Sequence, residues 1–132
     1  MDNLYEDYSA GILDNCEPPC LSLYMPTHRQ HPDNQQDPIL FRNLVKELEE
    51  SLLKQYSRRE VDQLLEPATA LMDDREFWNH SLDGLALLIA KDFSRIYRLQ
   101  LPTPKIAVVA NSFHLKPLMY TLQSIDRYQV HG

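Results

Sequence analysis

Glycine is nearly missing from this chain. The 132 residues hold three, at positions 11, 84 and 132. A phosphate-cradling loop or a dinucleotide fingerprint needs clustered glycines where backbone closes on ligand, so neither can be built here. Cysteine is as sparse: Cys16 and Cys20 are the whole supply. Two do not make the framework of a disulfide-stapled secreted fold, which predicts a reducing, cytoplasmic setting. No apolar run nears the roughly 20 residues a bilayer requires, so no membrane partner is expected. Met1-Asp2-Asn3 lacks the basic flank that opens a secretory leader. Bases are scarce overall, and the net charge of −6 argues against a free-standing nucleic-acid binder, which needs clustered Lys and Arg to displace counterions. The deficit is uneven. Residues 1–20 carry five acids and no base, whereas residues 81–132 carry six bases and three acids, which leaves room for a basic patch on one face.

What the chain has is a long amphipathic stretch from Pro38 to Asp74. Asp37-Pro38 reads as a helix start, with Asp as cap and Pro at the first helical position. Leu40, Phe41, Leu44, Val45, Leu48, Leu52 and Tyr56 then fall on one face of a helix, with Glu47, Glu49, Glu50 and Lys54 opposite. Ser57-Arg58-Arg59-Glu60 fits a capping box, and a second series follows at Val61, Leu64, Leu65, Ala68, Leu71 and Met72. Pro67 predicts a kink or restart near Glu66. The turn at Ser57 is too short for a crossover, so the two helices are expected to fold back on each other as a hairpin.

Around this hairpin the pattern predicts strands. Cys20–Met25 is a compact apolar run stopped by Pro26, and Leu85–Ala90 is apolar throughout, as in a strand covered on both faces. Ser94–Leu101 alternates and predicts a more exposed strand; Ile106–Ala110 is β-branched and predicts another. A weak leading helix over Leu4–Leu13, interrupted by Gly11, and a last helix from about Phe113, with Pro117 in its first turn, complete the reading. Trp78 is expected as a plug beneath the hairpin. Tyr128-Gln129-Val130 reads as the start of a further strand, with Asp126 to Gly132 as an exit toward a next domain. The fold class is α+β: a mixed sheet of about four strands with a long helical hairpin and a C-terminal helix packed on it, in the order (α)-β-α-α-β-β-β-α.

Each candidate for chemistry carries a plainer alternative. His28 and His31 share a loop with Arg29 and Asp33. A metal pair is one reading, but no second ligand pair has metal-site spacing, which favours a solvated loop. Cys16 and Cys20 offer a ligand pair or a bridge; the residue types favour a small buried strand residue at Cys20 and an incidental thiol at Cys16. His80 and Asp83 offer an acid–base pair, against a turn at Asp83 and a helix end at His80. His114 stands where a helix start would offer free amides to an anion, against a capping or packing role. Lys54, Arg58 and Arg59 surround the hairpin tip, either solvated or poised for RNA phosphate. Neither a catalytic set nor a cofactor is implied.

Three segments resemble a known family: Pro19 to Arg29, Phe77 to Leu87, and Asn111 to Leu118, with Gln36-Asp37-Pro38 between them. Together they resemble the N-terminal domain of the bacterial archaeo-eukaryotic release factor family, distant relatives of the eukaryotic and archaeal class-one peptide chain release factor. The resemblance covers residues 18–132 and leaves 1–17 as an acidic leading segment. It implies a non-catalytic N-terminal domain of a longer multidomain protein, associated with the ribosome or its RNA in rescue or a stalling response. Its partners would be the ribosome and the remaining domains of the same protein. True release factors read stop codons with an Asn-Ile-Lys-Ser hairpin tip and a Tyr-x-Cys-x-x-x-Phe strand. Here the tip is Gln55-Tyr56-Ser57-Arg58-Arg59 and the strand motif is missing; the Gly-Gly-Gln of peptide release belongs to a middle domain. Stop-codon reading and release are therefore not implied. Their position at the hairpin tip makes Lys54, Arg58 and Arg59 the expected RNA or ribosome contact, and His28, Arg29, His80 and His114 are a candidate polar surface cluster. The alternative is a protein-interaction or regulatory module that no longer touches RNA.

Overall fold

The computed structural model describes residues 3–122. The elements are α1 (Leu4–Ser9), β1 (Cys20–Pro26), a 3-10 turn (Asp33–Gln36), α2 (Asp37–Leu53), α3 (Arg58–Leu64), α4 (Glu66–Met72), α5 (Arg75–Asn79), β2 (Gly84–Ala90), β3 (Phe93–Leu99) and β4 (Ile106–Ala110). A last helix, α6, takes in residues 116–122. The strand expected from Tyr128-Gln129-Val130 and the exit at Asp126 to Gly132 lie outside the described residues.

The fold is α+β, built on a four-stranded sheet in the order β3-β2-β1-β4. All three pairings are antiparallel, so the sheet is not the mixed one expected. The helical hairpin explains the central pairing, β1 with β2. The chain runs out along α2, returns through α3 and α4, and re-enters the sheet where it left: Pro26, the last residue of β1, faces Gly84, the first of β2. A return to the same end dictates antiparallel pairing. Gly84 is needed there, because a Cβ would stand 2.4 Å from the Leu101 carbonyl oxygen.

Both faces of the sheet are covered, which is why β1 and β2 read as unbroken apolar runs. Leu21, Leu23 and Met25 of β1 and Leu85, Leu87 and Ile89 of β2 face the helices, against Phe41, Leu44, Val45, Leu48 and Leu52. On the opposite face Cys20, Tyr24, Ala86, Leu88, Tyr97 and Leu99 meet Leu13, Phe113 and Leu118. The second layer thus comes from the two ends of the described chain. Leu13 reaches it because α1 stops at Ser9, short of the expected Leu13; Gly11, at φ +74°, bends the chain inward. α1 is tied down by Asp7, which accepts from the Tyr97 hydroxyl at 2.7 Å and pairs with Arg95 at 3.3 Å.

The hairpin forms as its sequence predicts. The Ser57 side chain accepts from the Glu60 amide at 3.3 Å, and the Glu60 carboxylate accepts from the Ser57 amide at 3.4 Å. The second arm is two short helices that meet at Leu65, with Pro67 in the first turn of α4, where its missing N–H breaks no bond. Trp78 is buried against Phe41 and Phe77, and its indole N–H donates to the Leu71 carbonyl at 2.7 Å, which fixes it beneath the hairpin.

Three local expectations are corrected. Asp37 does not cap α2; the helix is entered through the 3-10 turn and has no side-chain cap. α6 begins at residue 116 rather than near Phe113. The preceding loop is held to β1 instead: the His114 amide donates to Ser22 Oγ at 2.8 Å, and the Tyr24 hydroxyl donates to the His114 carbonyl. Finally, Cys16 is not an incidental thiol. It is disulfide-bonded to Cys20, the two Cα atoms 6.3 Å apart, within the spacing a bridge accepts. The turn through Pro18-Pro19 brings the leading segment back to the buried start of β1. Cys20 is buried as expected.

Candidate functional site

The loop that leaves β1 carries the densest polar network. Thr27 anchors it to the α5–β2 connection: its amide donates to the Asp83 carbonyl at 3.0 Å and its hydroxyl to the Leu82 carbonyl at 2.6 Å. His28 is gripped by Asp37. One carboxylate oxygen accepts from the His28 amide and the other meets ring Nδ1, both at 2.8 Å. A carboxylate only accepts, so Nδ1 is the donor, on a half-exposed ring. Asp37 itself is 2% exposed. A buried carboxylate must be matched, and here the match also orients the imidazole. Arg29 pairs with Asp83, Nε to Oδ1 at 2.9 Å. His31 lies on the exposed side, its Nε2 3.5 Å from Gln35 Nε2.

The expected polar cluster therefore forms in part. His28 and Arg29 belong to it, joined by Thr27, Asp37 and Asp83. His80 stands apart, exposed at the end of α5, its amide donating to the Phe77 carbonyl. The acid–base reading with Asp83 gives way, since that carboxylate holds Arg29. His114 meets β1 through its backbone, and its ring lies edge-on to Tyr24 at 6.1 Å. Burial pushes the Tyr24 phenol above its ordinary value. Among the described residues no set of three or more His, Cys, Asp or Glu is arranged to hold a metal. Asp37 was the functional-looking residue that sequence reasoning misplaced. Its position before Pro38 reads as a helix start, and nothing local signals a partner nine residues back.

At the hairpin tip the three basic residues differ. Arg58 lies 3.4 Å from Glu49 and 3.7 Å from Asp62. Lys54, at the end of α2, and Arg59, in the first turn of α3, are exposed and make no ion pair among the described residues. Both are therefore available to an anion, in a neighbourhood that also displays Glu49, Glu50, Glu60 and Asp62.

Beside the tip is a feature that the sequence did not foretell. α3 and α4 face the tight turn between β2 and β3 across an open cleft of about 790 Å³. Leu52 and Val61, both buried, line it together with Tyr56, Leu64 and Pro67. Ala90 to Arg95 form the far wall, with Pro19 also in the lining. The turn itself is Lys91-Asp92, Asp92 taking the left-handed conformation at φ +58°. Its residues are far from the hairpin in sequence, so no spacing rule relates the two walls.

No family model matches the chain, and no curated protein matches it. The segments Pro19 to Arg29, Phe77 to Leu87 and Asn111 to Leu118, together with Asp37, are bonded to one another: His28 to Asp37, Arg29 to Asp83, and Ser22 and Tyr24 to His114. They fasten the exit of β1 to α2, to the start of β2 and to the entry of α6. Among the described residues no helix is long and apolar enough to cross a membrane.

Proposed function

We propose that this chain is a non-catalytic N-terminal domain of a release-factor-like bacterial protein, and that it works in the cytoplasm by touching the ribosome through its helical hairpin. The observation that carries the reading is the tip: a capped, two-armed hairpin on an antiparallel sheet, ending in Lys54 and Arg59, two exposed cations without ion pairs among the described residues. Phosphate binding draws on such cations, and removing one that touches a phosphate takes about one unit off the salt slope. Arg58 contributes less, because Glu49 and Asp62 already compete for it. Co-sedimentation of the chain with bacterial ribosomes at low and moderate salt tests the reading. Binding that weakens with salt and disappears in Lys54→Glu/Arg59→Glu supports it. Absence of binding at low salt, or binding untouched by the double reversal, refutes it.

A second reading, a protein-interaction module on the same frame, is favoured by the neutralised Arg58 and by the net charge of −6. Under it the hairpin variants leave ribosomes unaffected and the docking surface lies elsewhere.

A further inference from the structure

The cleft between the second hairpin arm and the β2–β3 turn has three properties that together define an occupant. The first is its floor. Tyr56, Leu64 and Pro67, each partly exposed, offer an apolar surface over the buried Leu52 and Val61, in an opening of about 790 Å³, within the range of about 300–1,000 Å³ that sites for compact ligands occupy. The second is the placement of its polar groups. Glu60, Glu66, Lys91 and Asp92 are exposed, so they stand at the rim. A small-molecule site draws its specificity from polar groups converging inside the pocket; an apolar floor inside a charged rim is the arrangement of a protein-binding surface.

The third property is charge. Arg95 lines the cleft but is committed. Its Nε lies 3.3 Å from Asp7, its Nη1 donates to the Ser94 carbonyl at 2.9 Å, and its guanidinium lies over the Phe93 ring at 4.7 Å. What remains is Glu60, Glu66 and Asp92 against Lys91. The two glutamates both come from the helical wall, Glu60 from α3 and Glu66 from α4. Glu60 uses Oε1 in the capping box, and among the described residues Glu66 makes no ion pair. An acidic wall above an apolar floor selects a cationic, apolar partner.

We propose that this cleft binds a short amphipathic peptide segment of another protein, with a leucine or aromatic side chain on the floor and a lysine or arginine against Glu60 and Glu66. The site uses none of Lys54, Arg58 and Arg59, so it holds whichever partner those cations take.

Fluorescence anisotropy on the purified chain tests it with three labelled peptides of one length, each carrying the same Leu and Phe residues, flanked by Lys, Gln or Glu. Two exposed ion pairs give the Lys peptide an advantage of about threefold to tenfold over the Gln peptide, diminishing as salt is raised. Glu66→Lys, an exposed substitution, abolishes the preference for the Lys peptide. Ala70→Trp, at an exposed helical position lining the cleft, fills the opening and weakens all three. Circular dichroism establishes that both variants are folded. The proposal is overturned if no peptide binds, if the three bind equally, or if both variants bind as the parent does. It is also overturned if the chain self-associates at the working concentration and Ala70→Trp alone makes it monomeric, which assigns the cleft to a second copy.

Discussion

Tyr24 shows how far a single buried side chain ties the molecule together. It sits in the middle of β1 with no exposed surface, and its hydroxyl donates to the carbonyl of His114, the residue whose amide is held by Ser22. Burial raises its pKa from an ordinary 10.0, because the phenolate would lose its hydration without gaining a donor. The sign follows directly. Below pH 10 both the folded and the unfolded chain keep the proton, and the contribution of Tyr24 to stability is complete. Above it the unfolded chain releases the proton while the folded chain retains it, so stability falls by about 1.4 kcal/mol per pH unit for this one group. Urea unfolding between pH 9 and 11.5 should therefore show a steeper loss in the parent than in Tyr24→Phe. Equal slopes would mean that the phenol ionises as readily folded as unfolded. Little of this was legible beforehand: the apolar run around Tyr24 announced burial, but its partner lies ninety residues on. Asp37 teaches the same lesson at shorter range. Residue type and a following proline signalled a helix cap, whereas a buried carboxylate answers to whatever donors tertiary packing supplies, here both nitrogens of His28 that face it.

At the scale of elements the sequence was most informative where the determinants are local. The capping box at Ser57 and the restart forced by Pro67 both appear where spacing placed them, since each depends on residues within one helical turn. The covered strands β1 and β2 announced themselves by unbroken apolar runs. What spacing did not reveal was how strands would pair, because pairing depends on where the hairpin delivers the chain. The start of α6 differs for a related reason: bonds to β1 hold His114 out of the helix. The cleft was invisible because its two walls meet only in the folded chain. The hairpin's local character gives a direct expectation. Ser57→Ala removes the acceptor for the Glu60 amide and should cost about 1 kcal/mol, within the range of about 0.5–2 for removal of a cap. Ser57→Asp, which restores an acceptor, should recover most of it. Thermal unfolding of the three proteins measures this, and a Ser57→Ala chain as stable as the parent would mean that the arms are held by packing against α2 alone.

For the molecule as a whole, the disulfide bears on where and how the protein can work. A sparse pair of cysteines suggested a reducing compartment, and a ribosomal partner would place the chain there, yet the fold holds Cys16 and Cys20 bonded. The two are compatible if the fold does not depend on the bridge. Its loop is short, four positions apart in sequence, and for loops of this length the chain-entropy relation gives about 2 kcal/mol. The leading segment also has other fastenings: Leu13 in the second core, and Asp7 bonded to Tyr97 and Arg95. Net stabilities of domains this size are about 5–15 kcal/mol, so the chain should stay folded when reduced. Urea unfolding with and without dithiothreitol should show the parent losing about 2 kcal/mol on reduction, and Cys16→Ser, insensitive to the reductant, should match the reduced parent. The same variant separates the bridge from function. Ribosome co-sedimentation unchanged in Cys16→Ser would show that the tip does not need the bridge and that a reducing cytoplasm is no obstacle. A reduced chain that unfolds outright would make the bridge a condition of folding, and would weigh against the ribosome as its partner.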